Sequence, residues 1–104
     1  MIPQCVFREV IYMESLERFR LQIDRIDQEM QRLFLERMTV VSAIAALKKT
    51  AGLPIYDADR AADVLRRNKE RIDGSPFSAA YERFLHLILS ESKQCQATLG
   101  AGGR

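Results

Sequence analysis

Apolar residues recur at alternating steps of three and four along the first half of the chain, a period that predicts one long amphipathic helix. The positions concerned are Leu16, Phe19, Ile23, Ile26, Met30, Leu33, Val40, Ile44 and Leu47. Position 37 belongs to the same stripe but is arginine. A charge in a packed stripe is costly unless it is paired. We therefore expect an anion beside Arg37. It is either a carboxylate of the protein, such as Glu29 or Glu36, or an anion supplied by a ligand.

The ends of this first helix are marked by local signals. Ser15 is a good N-cap, and Gly52 followed by Pro54 ends the helix. About 35 residues of helix span roughly 50 Å, whereas a compact domain of 100 residues has a radius of gyration of about 13 Å. The rest of the chain is too short to cover such a helix. We therefore expect an intertwined homodimer in which two long helices pack together.

Two shorter helices are expected after the first. Asp57, at the end of the connector LPIYD, can cap a second helix over about 58–72. A turn at residues 73–76 separates it from a third helix over about 78–99. The second helix is expected to present one face formed by Ala61, Val64, Leu65 and Asn68. The third is expected to point inward the residues Tyr81, Phe84, Leu85, Ile88 and Leu89.

The predicted fold is an all-α helical-bundle homodimer. Each chain would contribute a long, a short and a medium helix. Along the sequence we expect an N-terminal extension at residues 1–14, a helical domain at residues 15–99 and a flexible tail at residues 100–104.

Composition narrows the possible classes of function. Sixteen basic and fourteen acidic residues give a net charge of +2 without a basic block, which argues against a nucleic-acid partner. No apolar run approaches the roughly 18 residues of a membrane span. Cys5 and Cys95 have neither metal-ligand nor redox spacing and fit a reducing cytoplasm. His86 is the sole histidine, so a histidine-based zinc site is not expected.

Three basic residues of the first helix are candidates for an anion-binding site. Arg37 and Lys48 are eleven residues apart, which places them about 20° apart around the helix and about 16 Å apart along it. Arg20 lies seventeen residues before Arg37, or about 25 Å away, so it cannot serve the same site within one chain. In an antiparallel dimer, Arg20 of one chain can complete the site of the other. Taken alone, Arg20 and Lys48 also fit ordinary solvated cations.

The order and spacing of these residues resemble the all-helical chorismate mutases over about residues 16–96. The first helix carries an arginine, the run IDRID, the run LER ending at Arg37, and a lysine eleven residues later. The connector GLPIYDADR is similar to the loop and second-helix start of that family. SESKQCQ is similar to its S-x-x-x-Q near the end of the third helix.

The resemblance implies a homodimer that rearranges chorismate to prephenate without a metal or cofactor. It implies that Arg37, with Arg20 of the other chain, binds the two carboxylates of this small-molecule substrate. Lys48 and Gln96 would hydrogen-bond the ether oxygen of the breaking bond. A pericyclic reaction needs a dianion held in a compact conformer and donors aimed at the oxygen where charge develops. Cations and an amide meet that requirement.

The second and third helices also match the family, with one departure. The resemblance implies that Arg60 and Ser92 help to hold the ring and its carboxylate, and that Asp57 lies near the ring hydroxyl. Family members usually carry glutamate directly after the arginine that corresponds to Arg60. This chain has Ala61 there, and Asp63 is predicted to face another side of the helix.

The alanine leaves other functions open. Isochorismate-pyruvate lyases, which share the fold and form salicylate, also have an apolar residue at this position. They tend to lack the connector aspartate and the third-helix serine, so Asp57 and Ser92 favour the mutase. A mutase for an amino analogue of chorismate is a further enzyme alternative. The non-enzyme alternative is an inactive helical dimerisation or regulatory domain, which gives no reason for the set of cations.

Overall fold

The computed structural model describes the backbone of residues 4–101 and the side chains of residues 6–99. Its helices are α1 (Gln4–Ala51), α2 (Ala58–Arg71) and α3 (Ser78–Ala101), and residues 4–101 contain no strand. The predicted all-α chain of a long, a short and a medium helix is confirmed. Two compact units divide the chain, unit 1 (Met1–Glu36) and unit 2 (Arg37–Arg104). Within residues 4–101, no helix is long and apolar enough to cross a membrane.

Helix α1 begins earlier than the sequence pattern predicted. The expectation that Ser15 caps it was wrong, because Ser15 lies inside the helix and its Oγ accepts a hydrogen bond from Arg18 Nη2 at 3.2 Å. The sequence between Pro3 and Gly52 contains no helix breaker, so helical hydrogen bonding continues through residues 4–14. The boundary of the helical domain at residue 15 stays a prediction.

The apolar stripe of unit 1 is not covered within that unit. Its residues are 46% to 60% exposed, namely Leu16, Phe19, Ile23, Ile26, Met30 and Leu33. Single exposed apolar residues are common, but a contiguous apolar face marks a surface that contacts another molecule.

Helix α1 ends at a glycine, as predicted. Gly52 has a φ of 68°, and its N–H donates to the carbonyl oxygen of Lys49 at 3.2 Å. The N–H of Leu53 donates to the carbonyl oxygen of Lys48 at 2.8 Å. This is a Schellman arrangement, which requires a residue that tolerates positive φ. The connector therefore leaves the helix close to Lys48.

In unit 2, side chains from residues 37–51 of α1 contact helix α3. Its buried apolar residues are Val41, Ala45 and Leu85, which are 1% to 6% exposed. Arg37 contacts Ser92, and Ser42 Oγ lies 3.7 Å from the sulfur of Cys95. The two contacts advance in the same direction along both helices, so α1 and α3 run parallel in this unit.

Helix α2 packs on α3, and the face of α2 predicted from the sequence is partly buried. That face consists of the half-buried residues Ala61, Val64, Leu65 and Asn68. On α3, Leu85 is 5% exposed, whereas Phe84, which was predicted to point inward, is 43% exposed. Adjacent helical residues differ by about 100° in direction, so Phe84 and Leu85 cannot both face the same neighbour. Helix α3 continues to Ala101, and the remainder of the predicted tail lies outside the described residues.

Candidate active site

One cavity of unit 2 gathers residues from its three helical segments and from the connector. Its volume is about 180 Å³. Seven of the eight residues predicted for the site line it: Arg37, Lys48, Asp57, Arg60, Ala61, Ser92 and Gln96. The remaining lining residues are Val41, Ile44, Tyr56, Val64, Leu89 and Lys93. The apolar members provide walls of low polarity, in which interactions between charges are stronger than in water.

Arg37 lies half-buried on α1 and is oriented by α3. Its Nη1 donates a hydrogen bond to Ser92 Oγ. Ser92 is 8% exposed, and its hydroxyl donates to the carbonyl oxygen of Ile88 at 2.8 Å. Because that hydroxyl has one proton, its oxygen is left to accept from the guanidinium. Ser92 therefore aims Arg37 without neutralising it.

The alternative of a structural ion pair at Arg37 finds no support in unit 2. No carboxylate within residues 37–101 lies at ion-pair distance from Arg37. The two glutamates considered as partners, Glu29 and Glu36, pair with Arg32. A guanidinium has five N–H donors, so several remain for a ligand in the cavity.

Lys48 is fixed at the end of α1 by the connector. Its side chain is half-buried, and its Nζ donates to the carbonyl oxygen of Ile55 at 2.9 Å. The positive φ of Gly52 makes this contact possible, because it turns the connector back toward Lys48. Lys48 is thus not a freely solvated cation. Its ammonium has two further protons to donate into the cavity.

Two site residues lie at the start of α2. Asp57 is the predicted N-cap, and its Oδ1 accepts a hydrogen bond from the backbone N–H of Arg60 at 3.0 Å. This bond fixes the carboxylate at the cavity wall. Arg60 lines the same wall, and its Nη1 lies 3.6 Å from Asp63 Oδ2.

Asp63 does not replace the glutamate that is missing at Ala61. Ala61 lines the cavity, whereas Asp63 is absent from its lining. The carboxylate of Asp63 pairs with Arg66 at 2.8 Å and with Arg67 at 3.0 Å. The hydrogen bond from Arg66, with the charges of Arg67 and Arg60, lowers the pKa of Asp63 against the opposing effect of desolvation. These arginines therefore hold Asp63 ionised. Its absence from the cavity lining agrees with the predicted position on another side of the helix.

Lys93 and Tyr56 line the cavity but were not predicted as site residues. Lys93 Nζ lies 4.2 Å from the centroid of the Tyr56 ring. Lys93 follows Ser92 directly and precedes Gln96 by three residues. Because residues three apart on a helix are neighbours, the position of Gln96 was the sequence signal that could have identified Lys93.

The eighth predicted residue, Arg20, belongs to unit 1. It lies on α1 with an exposed side chain. Its expected role concerns a second chain and stays a prediction.

The charges of the cavity favour an anionic ligand. Its lining carries four cations, Arg37, Lys48, Arg60 and Lys93, against the single carboxylate of Asp57. Guanidinium groups bind carboxylates through paired hydrogen bonds, and lysine acts as a mobile point charge. The arrangement suits a small molecule with more than one carboxylate.

Comparison with known proteins identifies relatives of the chain. The T-protein of Haemophilus influenzae is 34% identical over 82 residues, which cover 78% of this chain and 22% of the T-protein. A bifunctional chorismate mutase/prephenate dehydratase of Aquifex aeolicus is 41% identical over 66 residues, or 60% of this chain and 18% of that protein. The chain thus spans about a fifth of the length of these curated relatives. No solved structure matches it.

The family assignment rests on a match to a family profile. The profile of the type II chorismate mutases matches residues 19–97. That range contains every residue predicted for the site, from Arg20 to Gln96. The chain belongs to the chorismate mutase type II family.

Proposed function

We propose that this protein converts chorismate to prephenate, and that it does so as a homodimer. The observation that carries the proposal is the single cavity lined by Arg37, Lys48, Arg60, Ser92 and Gln96. Arg37, Lys48, Arg60 and Gln96 can each donate a hydrogen bond to an anionic or ether oxygen, and Ser92 orients Arg37. The Aquifex aeolicus relative, which is named as a bifunctional chorismate mutase/prephenate dehydratase, supports the same reaction.

In the proposed mechanism, the enzyme restrains its substrate and stabilises developing charge. Arg37 and Arg60 bind carboxylate oxygens and hold the dianion in a compact conformer, which lowers the entropic part of the barrier. Lys48 and Gln96 donate to the ether oxygen as its bond to carbon breaks. Each such donor contributes more in the transition state than in the ground state, because charge grows on that oxygen. Asp57 would lie near the ring hydroxyl.

The homodimer is proposed from the surface of unit 1. Its apolar stripe is half exposed within that unit, and a second copy of α1 offers a matching stripe. In this assembly, Arg20 of one chain would bind a substrate carboxylate in the cavity of the other. Cys95 is a free thiol, which suits the proposed cytoplasmic location.

The products distinguish the proposed reaction from its alternatives. The purified protein is incubated separately with chorismate and isochorismate, and products are identified by NMR and mass spectrometry. We expect prephenate from chorismate, at a rate far above that of a sample without protein. Salicylate and pyruvate from isochorismate, with little prephenate, would instead establish a lyase. Absence of turnover of either compound would contradict the proposal and favour a dimerisation or regulatory domain.

Ala61 favours the lyase alternative, whereas the other residues of the cavity favour the mutase. Asp57 and Ser92, which lyases tend to lack, both line the cavity. The surplus of cations also disfavours an amino analogue of chorismate, because its protonated amine would be repelled by them.

Replacing Ala61 with glutamate is expected to raise kcat/KM for chorismate about tenfold, the effect of one hydrogen bond to a charged group. The new carboxylate would accept from the ring hydroxyl, and the surrounding cations would keep it ionised. Ala62→Glu is the matched control, since Ala62 is exposed, adjacent and absent from the cavity lining. Steady-state kinetics of both variants measure the difference. A loss of activity confined to Ala61→Glu would indicate a pocket built for another ring substituent.

A further inference from the structure

Lys93 differs from the other cations of the cavity in how it is held. Arg37 is held by Ser92, and Lys48 by the carbonyl oxygen of Ile55. Lys93 instead stands over the Tyr56 ring, 4.2 Å from its centroid. Within residues 37–101, no carboxylate lies at ion-pair distance from its ammonium. Its charge is therefore not neutralised by this unit.

The contact with Tyr56 leaves Lys93 able to bind a ligand. A ring face attracts an exposed ammonium only weakly and does not satisfy its three N–H donors. A carboxylate would form stronger, charge-assisted hydrogen bonds with it. The lysine side chain is exposed although it lines the cavity, so its ammonium lies at the solvent-facing rim. Four flexible methylenes allow it to swing from the ring to a ligand.

No carboxylate among the described residues of unit 2 competes with a ligand for the ammonium of Lys93. Ala61 offers no carboxylate to the cavity, and the Asp57 carboxylate already caps α2 through the N–H of Arg60. Asp63 of α2 is paired with arginines and is not part of the lining.

We propose that Lys93 is a substrate-binding residue. Its ammonium moves away from the Tyr56 ring and binds a carboxylate of the dianionic substrate at the mouth of the cavity. The inference rests on the proposed function. A contact to a carboxylate that persists through the reaction stabilises ground state and transition state alike. Lys93 is therefore expected to govern KM and to have little influence on kcat.

The test compares Lys93→Met with Lys93→Arg, because methionine keeps the apolar stem and arginine keeps the charge. Lys93→Met is expected to raise KM for chorismate, and the Kd of the product prephenate, about tenfold with kcat nearly unchanged. Lys93→Arg should stay within about threefold of the wild type. The effect of Lys93→Met should shrink as salt screens the interaction. Lys49→Met is the matched control, since Lys49 is exposed and absent from the lining.

The outcomes separate this inference from the proposed function. A wild type that forms prephenate, with Lys93→Met and Lys49→Met equal in KM and Kd, would overturn the role of Lys93 alone. A fall in kcat with unchanged KM would also overturn it, because that pattern indicates a structural or transition-state effect. A wild type that neither forms nor binds prephenate would overturn the proposed function and, with it, this inference.

Discussion

Replacing Arg37 with alanine is expected to lower kcat/KM for chorismate by about a thousandfold, while the protein stays folded. The loss is large because the oriented guanidinium both pairs with the charge of a substrate carboxylate and fixes the position of the substrate. Folding should survive for a local reason. Ser92, the residue that Arg37 contacts, keeps its hydrogen bond to the carbonyl oxygen of Ile88. Removing the guanidinium therefore leaves no buried donor without an acceptor.

Steady-state kinetics, thermal unfolding followed by circular dichroism, and size-exclusion chromatography together test this result. Arg32→Ala is the matched control, since Arg32 lies on the same helix and pairs with the exposed Glu29 and Glu36. That variant should keep its activity, because its ion pairs are exposed and contribute little to stability. Unfolding of Arg37→Ala would mean that Arg37 has a structural role, and activity equal to that of Arg32→Ala would mean that the reaction does not need Arg37.

Mixing two inactive variants, Arg20→Ala and Arg37→Ala, is expected to restore activity once their subunits exchange. If Arg20 acts across the dimer, each heterodimer has one intact site and one site that lacks both arginines. Random exchange of equal amounts makes about half of the dimers heterodimers, so about a quarter of all sites should be active. Activity should rise from near zero with the rate of subunit exchange.

Native mass spectrometry of an isotopically labelled variant mixed with an unlabelled one verifies the exchange. Each variant carried alone through the same procedure is the control. Verified heterodimers without recovered activity would contradict the shared site and leave Arg20 as a residue of unit 1 alone. Chorismate mutase activity in the control sample that contains only the Arg20→Ala variant would show that the reaction does not need Arg20.

Most helix ends were predictable because they depend on a few adjacent residues. The positive φ of Gly52 and the N-cap bond of Asp57 depend on local conformational freedom and on one side-chain oxygen. The start of α1 was the exception. Ser15 carries a side chain that can cap a helix, but such a residue does not fix the start of the helix when the residues before it can also be helical.

Part of the site was also predictable from helical geometry. The spacing of Arg37 and Lys48 places both on one face, and both line the cavity. Arg37 was conspicuous because it interrupts an apolar stripe. Lys93 was not conspicuous, since a lysine on a helix is usually solvated, and its place beside Tyr56 depends on how the connector packs against α3.

The sequence by itself determined the three helices, the end of α1 at Gly52, the face shared by Arg37 and Lys48, and the family resemblance. These depend on side-chain period, backbone freedom and spacing, which act over one or a few helical turns. Only the tertiary structure decided that residues as distant as Arg37 and Gln96 line one cavity, that Ser92 orients Arg37, and that Lys93 stands at the rim. Those relations depend on which helix faces meet when apolar surface is buried, and no local pattern specifies that.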